Sequence, residues 1–403
     1  MNHKRKLNLK KQLACIYTAD LFSGLRITDA VWVALLAARG FSLWEIGLAE
    51  SVFHVVSLLC EVPSGMAADL LGRRKTLLSG GVLTVTCNLL MAFAPNLFTI
   101  CLAMGLNALA MTMFSGTFTA LVYDSLKTEG REDEYIQVSA NSSQISMLAN
   151  AVGSLASLLK RFLGFAGFYL LSAAFEGVST AALALMEEPI VTKAQASRGR
   201  QTLRALPGQF TKLARNSLSI LRTTPLAAKL IVSSAVVSVP SYLTKMFLQQ
   251  RLIELGWPTE LLFLPLLLGG AACVLGAEVG RRVRFRSMRR FYSVCALLCG
   301  VGTLLVGLAP AWGGLFGMML VQGALEVYLL HESQKLNDAI PSDQRATLIS
   351  VDSMAYSLLM IPASPLVGAL GDAFGQAGAG LAALGAALLA SGLAAGLLAS
   401  NKP

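Results

Sequence analysis

Two pairs of ionisable residues lie within apolar stretches near the start of the chain. Glu50 and His54 are four residues apart, and Arg26 and Asp29 are three apart, so each pair would share one face of a helix. A carboxylate beside an imidazole can take up and release a proton, whereas an arginine beside an aspartate is either neutralised by it or offers its charge to an anion. We predict that these four residues bind protons or substrate. The alternative that stays open is a structural network that neutralises Arg26.

The composition indicates the kind of element that holds these residues. The 403-residue chain contains 55% hydrophobic and only 14% charged residues, against about 25% charged residues in soluble domains. An ionisable group in the middle of a bilayer costs about 2.5–3.5 kcal/mol on insertion scales, so each such group needs a reason to be there. Glu326, well inside a later apolar stretch, is therefore a further candidate for a proton-binding or substrate-binding acid.

Apolar stretches recur at the length that a helix needs to cross a bilayer, which is about 20 residues. They predict an all-α membrane protein with twelve transmembrane helices. Six lie in residues 1–185 and six in residues 226–403, with a polar linker at 186–225 between the two groups. The predicted spans are 13–37, 45–67, 76–94, 97–123, 136–158, 162–185, 227–250, 259–279, 290–309, 312–334, 346–370 and 376–399.

The basic residues predict the orientation of the chain. The net charge of +10 does not point to nucleic acid, because the Lys and Arg residues lie in short tracts between apolar stretches. Of the 33, 26 are on the side of the N-terminus and four on the other side, and the remaining three (Arg26, Lys229 and Lys245) lie within predicted helices. Since cytoplasmic loops carry the excess of Lys and Arg, both termini are predicted to be cytoplasmic. The seven cysteines contain no Cys-x-x-Cys pair, so neither a metal nor another cofactor is predicted.

The two halves of the chain contain matching charged motifs. Residues 72–74 (Gly-Arg-Arg) reappear as residues 280–282, and Asp124 is matched by Glu332, in both cases at an offset of 208 residues. Two matches at one offset predict a duplication whose copies are related by an axis along the membrane normal.

Residues 65–75 carry the clearest motif of the chain, Gly-Met-Ala-Ala-Asp-Leu-Leu-Gly-Arg-Arg-Lys. It resembles the loop between helices two and three of the major facilitator superfamily (MFS), whose pattern is G-x-x-x-D-x-x-G-R-R/K-R/K. The matching positions are Gly65, Asp69, Gly72, Arg73, Arg74 and Lys75. The resemblance implies the MFS fold, in which two six-helix bundles are related by a pseudo-two-fold axis. It also implies alternating access by a monomer. For Arg74 and Lys75, a role in orientation alone stays open.

The resemblance further implies that this loop acts as a latch in gating. Asp69 would pair with Arg73, and Arg73 would meet Asp124 at the end of helix four. By the internal repeat, Arg281 and Glu332 would form a second, looser latch, although the second copy departs from the family pattern.

The expected function is secondary transport of a small molecule across the cytoplasmic membrane. The sequence contains no nucleotide-binding G-x-x-x-x-G-K-S/T loop, so an ion gradient or the substrate's own gradient would supply the energy. It contains no catalytic constellation, so no enzyme activity is expected. The membrane acids and His54 favour protons as the coupling ion, and membrane lipids are the other expected partner.

The direction of transport stays open at this stage. The first hypothesis is proton-coupled efflux, by antiport, of lipophilic or cationic compounds. The G-P-x-x-G-G signature of drug exporters is absent from helix five, so symport of a sugar, peptide fragment or organic anion is the alternative. A non-transporting sensor or lipid-handling protein is a third hypothesis.

We expect Asp69→Asn and Arg73→Ala to abolish most transport, because each removes one charge of the latch. Membrane insertion should be unchanged, because it depends on the apolar spans. Transport rates divided by the amount of protein in the membrane test this. Normal transport by both variants would contradict the latch.

Overall fold

Helices form all the regular structure in the described part of the protein. The computed structural model describes residues 7–189, 224–285, 287–339 and 345–400, and the predicted linker at 186–225 lies almost wholly outside these ranges. The first-half helices are α1 (Leu9–Gly24), α2 (Trp32–Ala38), α3 (Leu43–Leu71), α4 (Arg73–Phe93), α5 (Leu97–Phe114), α6 (Thr117–Thr128), α7 (Tyr135–Ser154) and α8 (Lys160–Leu185). The second-half helices are α9 (Pro225–Glu254), α10 (Phe263–Arg282), α11 (Met288–Leu308), α12 (Ala311–Ala339), α13 (Arg345–Ala373) and α14 (Ala377–Ser400).

Ten helical stretches within the described residues are long and apolar enough to cross a membrane. The first predicted span, 13–37, is not among them because it is broken into α1 and α2. The predicted spans 136–158 and 162–185 run together in one stretch, Glu132–Leu185, which bends at Gly164 with a φ of +57°. Twelve crossings and cytoplasmic termini therefore stay predictions.

Because of the break between α1 and α2, the candidate site residues Arg26 and Asp29 lie outside a helix. The N–H of Arg26 donates to the carbonyl of Gly24 at 2.8 Å. This hydrogen bond spans two residues, whereas those of an α-helix span four. Gly24 packs so closely on α7 that an added Cβ would lie 2.9 Å from the Cβ of Ala149. Arg26 and Asp29 therefore lie in a turn, and the prediction that they share a helix face is wrong. Non-helical backbone within a membrane is tolerated where protein buries it or water reaches it.

The chain divides into two compact units, and the division falls inside α3. The first unit contains the residues up to Asp29 and, from Val56 onward, the rest of the first half. Its core includes one buried apolar side chain from each of five helices, namely Ile16, Leu77, Leu121, Val138 and Leu183. This core holds the beginning of α4 beside the ends of α6 and α8, where the charged residues of the predicted latch lie.

The second unit contains Ala30–Val55 together with the second half of the chain. By its contacts Ala30–Val55 belongs here, although its position in the sequence is within the predicted first bundle, 1–185. The second-half helices pack through small residues: an added Cβ on Gly307 of α11 would lie 2.6 Å from the carbonyl oxygen of Gly378 on α14. Close packing of this kind drives helix association in membranes, where lipid is as apolar as the side chains.

We expect Gly307→Ala to destabilise the protein by about 1–3 kcal/mol, because the added methyl group meets backbone that cannot move aside. Gly270→Ala on α10 is the matched control, since an added Cβ there meets nothing within 4 Å. The measurement is thermal unfolding of the purified protein in detergent. Equal melting temperatures for the two variants would show that the α11–α14 contact does not limit stability.

Candidate functional site

Gly72 forms the turn that separates α3 from α4. Its φ is +99°, a backbone conformation that residues with a Cβ adopt only under strain. The Gly72 carbonyl then accepts from both the N–H (3.1 Å) and the hydroxyl (3.0 Å) of Thr76, so α4 begins at Arg73. Gly65 makes no comparable contact, because an added Cβ there would meet nothing within 4 Å. The Asp69 side chain lies outside the part of the structure that is described.

Arg73 at the start of α4 forms an ion pair with Asp124 on α6. The same guanidinium also donates a hydrogen bond to the carbonyl of Ala120, one turn earlier on α6. Both side chains are largely buried, with 17% of Arg73 and 9% of Asp124 exposed. Removal of one partner from such a pair leaves an uncompensated charge in a poorly solvated position. The structure thus brings together Arg73 and Asp124, as the family resemblance of the motif implies.

Glu188 is a site residue that the sequence reasoning missed. Its two carboxylate oxygens accept from the backbone N–H groups of Arg73 (2.9 Å) and Arg74 (2.7 Å) and so cap the start of α4. In return, the Arg74 guanidinium donates to the carbonyl of Ala184 at the end of α8, at 2.5 Å. A negative charge at a helix start and a positive charge at a helix end both interact favourably with the helix dipole. Lys75 is exposed.

Gln12 ties α1 to the same place. Its side-chain amide donates to the carbonyl of Glu187 (3.1 Å) and accepts from the N–H of Glu187 (2.9 Å). It also donates to the hydroxyl of Ser125, next to Asp124. One polar network within the first unit therefore joins the starts of α1 and α4 to the ends of α6 and α8.

The second copy of the motif is arranged differently. Arg281 and Arg282, at the end of α10, both pair with Glu278 on the same helix at 2.5 Å. Glu332 on α12 is 4% exposed, and no ion pair joins it to Arg281 among the side chains that the structure describes. The predicted second latch is therefore not formed, because an acid three residues away on the same exposed helix face holds Arg281 instead.

Glu50 and His54 form a buried cluster on α3. Glu50 Oε1 and His54 Nε2 are 3.4 Å apart, with 3% and 6% of the side chains exposed. Nε2 has no aligned hydrogen-bond partner, so this contact is electrostatic. The Nδ1 atom lies 3.3 Å from the hydroxyl of Ser357 on α13. The imidazole also packs edge-on against the ring of Tyr356, with ring centres 5.4 Å apart. Ser357 and Tyr356 were not identified from the sequence.

The beginning of α3 is fixed to the far end of α13 by Asp372. One carboxylate oxygen accepts from the N–H of Leu43 (2.9 Å) and the other from the N–H of Trp44 (2.8 Å). Further along, an added Cβ on Gly47 would lie 2.5 Å from the carbonyl oxygen of Ser364. We refer to these contacts of residues 43–54 with residues 357–372 as the α3–α13 contact.

Ser51 adds a direct hydrogen bond to the α3–α13 contact. Its hydroxyl donates to the carbonyl of Ile361 at 2.6 Å. In a regular helix this carbonyl would accept from the N–H four residues later, at position 365, but that residue is Pro365. Since a proline has no N–H to donate, it leaves a helix carbonyl in need of another partner.

Arg26 has two acidic neighbours within the first unit. Its guanidinium is 4.0 Å from the carboxylate of Asp29, and 55% of the Arg26 side chain is exposed. It also acts electrostatically on Glu176 of α8, which was not among the predicted site residues. One turn before the end of α1, Asp20 accepts a hydrogen bond from the hydroxyl of Ser142.

Glu326 lies on α12 in the second unit. An added Cβ on Gly276 would be 3.1 Å from its Cβ, so the side chain starts where α10 and α12 come closest. Glu326 and Lys245 of α9 both act electrostatically on the thiol of Cys273, and the Lys245 ammonium is 5.3 Å from the centre of the Tyr242 ring. The structure thus brings a base and an acid of opposite charge into one region, which the sequence did not indicate.

Comparisons with known proteins agree with this architecture. The MFS-type transporter YxaM of Bacillus subtilis (strain 168) is 24% identical over 147 residues, so the match spans 36% of this chain and 36% of that protein. The crystal structure of the nucleoside transporter NupG has a TM-score of 0.73 and 13% identity, covering 98% of this chain and 100% of NupG. The peptide transporter POT in complex with sulfate has a TM-score of 0.71 and 13% identity, covering 97% and 94%.

The two solved structures show the fold alone at such low identity. The family model of the Major Facilitator Superfamily, however, matches residues 21–330, from α1 to α12 and through the motif at 65–75. This is more than half of the chain, and the protein therefore belongs to the Major Facilitator Superfamily of membrane transporters.

Proposed function

We propose that this transporter exports lipophilic or cationic compounds in exchange for protons, and that Glu50 and His54 bind the coupling proton. The observation that carries the proposal is the burial of this pair on α3, with 3% and 6% of the side chains exposed. Among the side chains that the structure describes, no Lys or Arg forms an ion pair with Glu50. A buried carboxylate without a cation is unfavourable, so one proton, on Glu50 or on His54, completes the cluster.

The position of the pair supports a link between proton binding and gating. Ser357, which contacts His54, lies on α13, whereas His54 belongs to the first half of the sequence. Alternating access requires contacts between sequence halves that form in one state and open in another. The α3–α13 contact joins residues of the two sequence halves, and the proposal assigns it this role. A proton that stabilises the cluster therefore also stabilises the closed form of this contact, and opening releases it.

A cationic cargo is favoured by the sign of the charges in the membrane helices. Asp20, Glu50, Glu176 and Glu326 are buried or half-buried acids, and Arg26 and Lys245 are the bases near them. Arg26 is matched by two acids, Asp29 and Glu176. An excess of acids attracts protons and organic cations and repels anions.

Uptake by proton symport is the second candidate. The observation that favours it is the exposure of Arg26, of which 55% is accessible, because an exposed guanidinium can bind a carboxylate or phosphate by paired hydrogen bonds. Peptide fragments and organic anions carry such groups, and POT is a peptide transporter of the same fold.

The distinguishing experiment measures ethidium accumulation in an efflux-deficient bacterial host. We expect the wild type to lower accumulation, and both an uncoupler and Glu50→Gln to raise it to the level of cells without the protein. The amide retains the shape of the carboxyl group but cannot exchange a proton. Glu45→Gln on the same helix is the matched control, because its amide oxygen can still accept from the N–H of Ser42 (2.8 Å in the wild type).

Full activity of Glu50→Gln at equal expression would reject Glu50 as the coupling acid. If the wild-type protein is correctly inserted but does not alter the accumulation of any dye, the proposal of export is rejected. Proteoliposomes should then take up dipeptides or organic anions under an inward proton gradient, and Arg26→Gln should abolish that uptake.

A second prediction concerns the cap made by Asp372. In a background without the seven native cysteines, the variant Ser364→Cys carries a thiol in the middle of the α3–α13 contact, where Ser364 is fully buried. We expect Asp372→Asn to raise the rate at which a maleimide labels this thiol about fivefold, since the loss of a charged cap costs about 1 kcal/mol. Asp338→Asn, at an exposed position of α12, is the control. Equal labelling in both would show that Asp372 does not hold the contact closed.

A further inference from the structure

The matched acids of the two halves differ in their partners. Asp124 pairs with Arg73, but no ion pair of Glu332, at the same place in the repeat, is found among the described side chains. The arginine that could serve it, Arg281, is held at 2.5 Å by Glu278 on its own helix. The second half therefore contains the matching acid, Glu332, but the matching base, Arg281, pairs with Glu278.

Glu332 is nonetheless as deeply buried as its counterpart. Its relative exposure is 4%, and its Oε1 atom has no hydrogen-bond partner. The titratable groups that face it are Asp352 on α13 and Tyr328 one turn earlier on α12. The Tyr328 hydroxyl lies 2.6 Å from that of Ser233 on α9. On α10 the arginines are occupied by Glu278.

Glu332 is buried, lies within electrostatic reach of a second carboxyl group and pairs with no described Lys or Arg side chain. Such a group is stable only when one of the two carboxyls carries a proton. We propose that Glu332 is a second proton-binding site of the transporter, facing Asp352. Glu332 holds a proton while Arg281 is bound to Glu278. When Arg281 leaves Glu278 and reaches Glu332, the proton passes to water and the new carboxylate pairs with the guanidinium. The inference rests on the proposed proton coupling and adds a site to it, on the second-half helices.

This exchange would give the second half a role that the first half does not have. In the first half Arg73 already neutralises Asp124, so no proton is required there. In the second half, a change of partner by one arginine converts a conformational change into the release of a proton. The two copies of the motif would thus have different roles. The Arg73–Asp124 pair would stabilise the closed form, and Glu332 would bind and release the proton.

Dicyclohexylcarbodiimide, which adds to protonated carboxyl groups in apolar surroundings, tests the proposal on the purified full chain. Adducts at each acid are quantified by mass spectrometry of peptides over a range of pH. We expect Glu332 to be labelled and the labelling to fall as the pH rises, whereas Asp124 stays unlabelled. Arg73→Gln, which removes the cation from Asp124, should make Asp124 reactive and is the matched positive control.

The decisive variant is Glu278→Gln, which frees Arg281. It should lower the labelling of Glu332 at a given pH by about tenfold or more, as expected when an ionisation equilibrium moves by one pH unit. The double variant Glu278→Gln with Arg281→Gln should restore the labelling. It also shows that a loss in the single variant is not a folding defect.

Absence of a Glu332 adduct at every pH would overturn the proposal, as would equal labelling of Glu332 and Asp124 in the wild type. Protection of Glu332 by sodium chloride but not by choline chloride would also overturn it, because the site would then bind a metal cation. No cargo is needed for this assay. A chain that exports no dye but shows the predicted adducts would therefore reject only the proposed export.

Discussion

The neutralisation of charge within apolar surroundings is the constraint on which the rest of this structure depends. An ion in a membrane helix has to find a counter-ion, a set of hydrogen bonds or a proton, because water is scarce there. Arg73 and Asp124 satisfy the constraint with each other. Glu50 lies beside an imidazole. Glu332 pairs with none of the Lys and Arg side chains that the structure describes, and its Oε1 atom has no hydrogen-bond partner there. These three residues therefore meet the same constraint with different partners: a guanidinium, an imidazole and, for Glu332, a second carboxyl group nearby.

Close backbone packing is the second requirement, and it acts together with the first. Gly47 lets α3 approach α13, and only at that distance can Asp372 reach the N–H groups of Leu43 and Trp44. The same arrangement occurs at the start of α14, where Glu254 accepts from the N–H of Ala377 at 3.0 Å. Small residues thus determine where two helices come into close contact. Carboxylates that cap helix starts then fix the position of one helix along the other.

Sequence reasoning identified the charged pair in the first half because the motif at 65–75 resembles the family's loop, and the resemblance implies that Arg73 meets an acid at the place of Asp124. It failed for Arg281 because a repeat cannot reveal competition, and Glu278 is closer along the helix. It also missed Glu188, Ser357 and Asp372. Each of these acts on residues more than 100 positions away, and none stands in a recognisable pattern. The break at residues 25–31 was hidden for another reason: apolar residues continue on both sides of it, so residues 13–37 have the length of one membrane-spanning helix.

The membership of Ala30–Val55 in the second unit has a consequence for biosynthesis. The Leu43 N–H and its carboxylate partner on Asp372 are 329 residues apart, and a ribosome adds roughly 5–20 residues per second. The beginning of α3 therefore waits on the order of tens of seconds in the membrane before its cap exists. During that interval its close-packing face, built around Gly47, is covered by lipid or by the insertion machinery. Productive assembly of this transporter thus depends on a segment that enters the membrane early and reaches its final neighbours among the last.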